Sequence, residues 1–279
     1  MNPVTATAPV AVTDRIAELL ASFKLPTLGK ELVPRFLAAG KLEELALLLD
    51  VLELEAGDRQ ERRVDRLRRA SLLPPGKTLD TLNQARLPLP LMHQVHQLAK
   101  GAFLDRATNV LAFGRPGTGK SHVACALGHA LVEAGYSVYF TPTYLLVQQL
   151  LVAKRALDLP RALRKLDAFD LLILDDIGYV QQAADEVEVL FTLMAERYER
   201  RSLLITSNLS FGDWGRIFKD PMTTAAAIDR LVHHSVLLEF PGTSYRADEA
   251  LAARDKGEQA EATTTTTERP AGGRRRRGR

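Results

Sequence analysis

The chain has 279 residues, 46% of them hydrophobic and 25% charged, and a formal net charge of +3. This suits one large globular domain or two modest ones and excludes a fibrous or low-hydrophobicity chain. No apolar run reaches the roughly eighteen residues that a membrane helix needs. The opening MNPVTATAPVAVTD lacks the basic start and dense apolar centre of a secretory signal, and the single cysteine, Cys125, can form no internal disulfide. A cytoplasmic location is the expectation.

Charge is unevenly spread. The segment 268–279, ERPAGGRRRRGR, carries six arginines and one glutamate, so the rest of the chain is near −2. A second basic block, DRQERRVDRLRRA, lies at 58–70. Two local basic segments on a near-neutral body point to a polyanionic partner.

In chain order, residues 1–12 are rich in Ala, Thr, Pro and Val and are expected to be disordered. Residues 13–76 read as a small all-helical domain. Thr13 or Asp14 can cap a first helix, RIAELLASF, and a second pattern runs from Leu28 to Ala39 and stops at Gly40. A long third helix opens at Leu42, with Leu45, Leu48, Leu49 and Leu52, then Val64 and Leu67, near helical spacing, until Pro74-Pro75-Gly76 ends it. Residues 77–108 read as a linker with one helix, LMHQVHQLAKGAFL. The pattern then changes. NVLAF at 109–113, SVYFT at 137–141, DLLIL at 170–174, SLLIT at 202–206 and VLLEF at 236–240 are short apolar runs separated by helical stretches. Strand and helix in alternation predict an α/β domain over 109–246 with a five-stranded parallel sheet covered on both faces. Residues 247–279, with TTTTT at 263–267 and the arginine run, are low in complexity and are expected to form a disordered basic tail.

Three motifs carry chemistry. GRPGTGKS comprises Gly114, Arg115, Pro116, Gly117, Thr118, Gly119, Lys120 and Ser121, is followed by His122, and fits G-x-x-x-x-G-K-[ST] at every fixed position. It follows a strand and opens a helix, as a phosphate-binding P-loop must. The glycines let backbone N–H groups face the phosphates, the helix adds its positive N-terminus, Lys120 reaches the β- and γ-phosphates of ATP, and Ser121 offers its hydroxyl to Mg. In DLLILDDIGY, an apolar strand ends in Asp175, which fits the magnesium shell, and Asp176, which fits orientation or deprotonation of the attacking water. In SLLITSN, a strand ends in Thr206, Ser207 and Asn208. If that strand lies between the other two, Asn208 points at the γ-phosphate.

Together GRPGTGKSH, LLILDDIGY, LLITSNLSFGDWGRIF, AAIDRLVHHSVLLEF and the closing GTSYR resemble the AAA+ ATPases, specifically the IstB type, the ATPase helpers of insertion-sequence transposition, which are related to DnaC-type helicase loaders. The similarity spans about residues 14–246. The P-loop is generic, whereas SNLSFGDWGRIF followed by DRLVHHS is far more specific. The resemblance implies an AAA+ fold, ATP hydrolysis with Mg, assembly into a homo-oligomer with ATP and duplex DNA, and work beside the transposase of the same element in target-site selection. It implies further that Arg230 in AIDRL acts on a neighbour's ATP and that Arg246 in SYR is the sensor-two arginine. A guanidinium in either place would neutralise charge developing on the γ-phosphate. A DnaC-like replicative helicase loader is the alternative. Two departures stand out. Asp175-Asp176 replaces the Asp-Glu of many relatives, which shortens the second acid by one methylene and predicts slow hydrolysis. Little ordered chain is expected after the last strand, so no full helical lid is expected either.

Arg59, Arg62, Arg63, Arg66 and Arg69 recur at three- and four-residue steps and can line one helix face toward DNA phosphates. The same arginines can also pair with Glu55, Asp58, Glu61 and Asp65 on a solvated face, and the sequence leaves both readings open. His93, His96, His233 and His234 have no third ligand at metal-binding spacing and read as solvated or core residues.

Overall fold

The computed structural model describes residues 7–178, 183–209, 211–214, 221–242 and 244, and it divides into two compact units, residues 1–69 and 70–279.

The first unit is helical. Helix α1 (Thr7–Ser22) begins earlier than the cap expected at Thr13 or Asp14, with Pro9 in its first turn, where a missing N–H costs nothing. Helix α2 spans Pro26–Ala38, and α3 spans Leu42–Ser71. Ile16 and Leu20 of α1 and Leu45 of α3 form the buried centre, with Leu32, Val33, Phe36, Leu48, Leu49 and Leu52 packed around them. The 3.6-residue spacing of Leu45, Leu48, Leu49 and Leu52 therefore serves this small core.

The second unit holds the sheet. Helix α4 (Leu89–Leu98) precedes β1 (Asn109–Gly114), α5 (Lys120–Glu133) and β2 (Val138–Pro142). Helices α6 (Thr143–Arg155) and α7 (Leu159–Asp167) lead to β3 (Leu171–Ile177), and α8 (Ala184–Arg197) leads to β4 (Ser202–Ser207). Helix α9 (Pro221–Val232) and β5 (Ser235–Phe240) complete the order. All five predicted strands are present, four within one residue of their expected limits and β3 extending three residues further, to Ile177; every pairing is parallel, and the order is β2-β3-β4-β1-β5. The fold is α/β, as predicted, with β4 between β3 and β1.

Strands β1, β3 and β4 are almost continuously buried, which explains their uninterrupted apolar runs. One face of the sheet packs on α6, α8 and α9, where Trp214 is fully buried and its ring lies 6.2 Å from that of Phe113. The other face meets α5 at close range. A Cβ on Gly128 would come within 2.8 Å of Ile173 Cδ1 and Leu73 Cδ2, so the missing side chain is what lets the helix sit there.

Two buried polar residues fix the ends of the elements. Asn109 accepts a hydrogen bond from Leu203 N–H (2.9 Å) and donates one to Leu231 O (3.2 Å), tying β1 to β4 and α9. Arg197 is 1% exposed and donates to the carbonyls of Leu166, Phe169 and Ser202, each at 3.0 Å. Burial lowers its pKa to about 10, so it remains charged at neutral pH and each carbonyl gains a charge-assisted bond.

Candidate functional site

The loop after β1 wraps as its glycines allow. Gly117 (φ 81°) and Gly119 (φ 96°) adopt left-handed conformations that a side chain would strain. Gly119 is the N-cap of α5 and offers no side-chain acceptor, while the first turn holds no acid. The first amides of α5 thus form an anion site of the kind a helix N-terminus provides. Lys120 is 7% exposed, and its ammonium donates to Gly114 O (2.7 Å) and Arg115 O (2.8 Å) inside the loop. Thr118 is also buried and donates to Arg115 O (2.9 Å), while Arg115 and Pro116 are exposed on the outer side.

The acidic strand end comes to the same place through a bulge. Leu174 pairs with Ile205, but Ile177 pairs with Ser207, so β3 carries one more residue than β4 across this stretch. The extra residue falls at Asp175-Asp176, and Asp176 takes φ 61°, a left-handed conformation that aspartate tolerates better than most side chains. Asp175 Oδ1 then accepts two hydrogen bonds, from Ser121 Oγ (2.7 Å) and from Thr206 Oγ1 (2.6 Å). Thr206 Oγ1 in turn accepts from Asp176 N–H (2.8 Å), and Thr143 Oγ1 donates to Asp175 O (3.0 Å). Helix α5 and strand β4 therefore fix the carboxylate beside the P-loop serine, and α6 holds the main-chain carbonyl of the same residue.

Thr206 and Thr143 are residues that sequence reasoning missed as parts of the site. Thr206 stands at the polar end of the β4 run, a signal that becomes specific only once β4 is known to neighbour β3. Asn208 follows on the same strand end, and its Oδ1 is buried with no hydrogen-bond partner among the described residues. Asn208, Gly114, Arg115, Leu237 and Glu239 line an open cavity of about 490 Å³.

Arg230 lies elsewhere. It sits on α9 five residues before β5, and β5 runs parallel to β1, so Arg230 is near the edge of the sheet opposite the P-loop. Its guanidinium carbon is 4.9 Å above the Phe191 ring, and it donates to Ala226 O (3.3 Å). The structure does not bring Arg230 together with the P-loop of its own chain. Arg246 lies outside the described residues.

The residues fit a bound Mg-ATP. The left-handed glycines and uncapped amides form an anion cradle, Ser121 Oγ and Asp175 Oδ1 offer adjacent hard oxygen donors, and the buried Asn208 Oδ1 has no partner among the described residues.

The family model described as IstB-like ATP binding protein matches residues 36–253. The chain belongs to that family. The membership bears out the resemblance read from the sequence and makes the protein an ATP-binding member of an insertion-sequence family. An insertion sequence ATP-binding protein of Sinorhizobium fredii is 45% identical, over 90% of this chain and 85% of that protein. The IS5376 ATP-binding protein of Geobacillus stearothermophilus is 33% identical, over 87% of this chain and 98% of its own length. Among solved structures, DnaI (15% identical, TM-score 0.52, 61% of this chain and 96% of that one) and domain III of the Thermotoga maritima replication initiation protein DnaA (16%, 0.51, 66% and 74%) share the fold. Their identity is too low to carry more than the AAA+ architecture. No helix among the described residues of this family member is long and apolar enough to cross a membrane.

Proposed function

We propose that the protein is an AAA+ ATPase that assembles on duplex DNA with ATP and assists the transposase of its insertion sequence in choosing and entering a target site. The observation that carries hydrolysis is the bond chain from Ser121 through Asp175 and Thr206 to Asp176, built on a bulge beside the P-loop. The first amides of α5 and Lys120 bind and orient the triphosphate. Ser121 and Asp175 would hold Mg, which would supply positive charge to offset that of the triphosphate. Asp176 accepts a proton from the attacking water, which Asn208 positions. Arg230, at the opposite sheet edge, acts on the ATP of a neighbouring copy, and Arg246 completes the charge stabilisation around the γ-phosphate.

DNA contact is assigned to α3. Arg59 pairs with Glu55 (2.6 Å) and Arg68 with Asp65 (2.6 Å), but Arg66 and Arg69 are exposed and no acid pairs with them among the described residues. Exposed pairs of this kind are worth little and yield readily to phosphates.

The helicase-loader reading rests on fold likeness alone, whereas the insertion-sequence relatives match over most of their own lengths. Light scattering with duplex DNA, comparing ATP, ADP and no nucleotide, tests the proposal. Large complexes with ATP that are lost in Arg230→Ala are expected. Particles that stay monomeric under all three conditions would overturn the assembly.

A further inference from the structure

The pair His233-His234 has no metal-ligand partner in the sequence, but the fold supplies one. Glu199 lies in the turn between α8 and β4, and the two histidines form the turn between α9 and β5. Because β4 and β5 both flank β1 and run parallel to it, these turns meet at the same edge of the sheet. One imidazole nitrogen from each histidine and one carboxylate oxygen of Glu199 all lie within 4.8 Å of one another. His234 Nε2 is 3.9 Å from Glu199 Oε1, and the two rings stand edge to face with centroids 4.2 Å apart.

The backbone beneath the three side chains is pinned. His233 N–H donates to Asp229 O (3.0 Å), Asn109 N–H donates to His234 O (2.7 Å), and Arg200 and Arg201 N–H both donate to Arg197 O (3.0 Å). Glu199 holds φ 56° in its tight turn. The neighbouring arginines are engaged elsewhere, Arg200 with Asp167 and Glu196 and Arg201 with Asp170, so the groups that face the Glu199 carboxylate are the Tyr198 hydroxyl and His234. Tyr198 Oη is 3.3 Å from His233 Nδ1. A hydrogen bond between them fixes the orientation of the His233 ring, as a partner outside the ligand set does for metal-binding histidines.

We propose that Glu199, His233 and His234 form a site for a divalent transition metal of the zinc type, with Tyr198 as its positioning residue. Two imidazoles and one carboxylate suit Zn²⁺, Co²⁺ or Ni²⁺ and not the all-oxygen preference of Mg²⁺. Donors around a tetrahedral zinc stand about 3.4 Å apart, so closing the site takes only small rotamer changes in three exposed side chains. The remaining positions fall to water. Occupied, the site joins the end of α9, which carries Arg230, to the turn after α8.

The test uses untagged full-length protein without nucleotide, titrated with Co²⁺ by visible absorption and with Zn²⁺ by calorimetry. One saturable equivalent is expected. Binding should weaken at least about tenfold in Glu199→Gln, His233→Ala and His234→Ala, and measurably in Tyr198→Phe, with His93→Ala/His96→Ala unchanged. Absence of a saturable equivalent, or full binding by the His233→Ala/His234→Ala double variant, overturns the proposal. Binding of a fluorescent ATP analogue reports that each variant is folded. Should the variants unfold, acylation of His233 and His234 in the wild type, read by mass spectrometry, decides: Zn²⁺ should protect both, and equal labelling with and without metal overturns the site. Neither readout depends on ATP turnover or DNA assembly, so failure here is distinct from failure of the proposed function.

Discussion

Ser121 Oγ and Asp175 Oδ1 are 2.7 Å apart although 54 positions separate the two residues in the chain. Asp175→Asn keeps the size of the side chain but removes the charge that a cation needs. ATP turnover should fall about 100-fold or more, while nucleotide binding without Mg stays near wild type. A magnesium titration of turnover, beside analogue binding in EDTA, checks both halves of that expectation.

Asp176 separates strain from chemistry. At φ 61° a glycine is at ease, so Asp176→Gly should leave stability within about 1 kcal/mol of wild type in urea unfolding. Turnover should nonetheless fall about 100-fold or more, because a general base contributes on that scale. Asp176→Asn should lose the same activity with ATP affinity unchanged. Wild-type turnover in Asp176→Asn would remove the base assignment.

Arg230 offers a complementation experiment. Lys120→Ala damages the P-loop but keeps the arginine, and Arg230→Ala does the reverse. Each alone should be about 1,000-fold down in turnover, and mixing them should restore part of the activity. A mixture no more active than its components would show that Arg230 does not act between copies. Loss of the contact with Phe191 should cost only about 0.5–1 kcal/mol of stability, so the variant should remain folded.

Arg66→Ala/Arg69→Ala should weaken duplex DNA binding irrespective of sequence and reduce the slope of log affinity against log salt by about 2. Fluorescence anisotropy over a salt series measures this, and an unchanged slope would return α3 to the role of a solvated helix face.

Cys125 should be inert. It is fully buried, and burial pushes its thiol up to about 12. Since the thiolate is the reactive form, about one molecule in ten thousand would carry it at pH 8. Alkylation should therefore be negligible in the folded protein at pH 8 and complete in denaturant, as mass spectrometry will read. Reactivity in the folded protein should rise only as pH approaches the raised value.

The sequence by itself determined the parts list. The P-loop residues, the acid pair and Asn208 were legible because each ends a short apolar run, and in a parallel sheet buried on both faces such runs are nearly uninterrupted. The parallel α/β architecture followed from the same alternation. The small core of α1, α2 and α3 was legible from helical spacing at Leu45, Leu48, Leu49 and Leu52. Tertiary structure decided what those parts touch. That Thr206 holds Asp175, that a bulge turns Asp176 into a left-handed conformation, and that Glu199 meets His233 and His234 all depend on which strands are neighbours and on their register. Local sequence carries the propensity of each strand to form. Order and register are set by packing between residues distant in the chain, and a one-residue slip there changes which side chains meet without changing any local pattern.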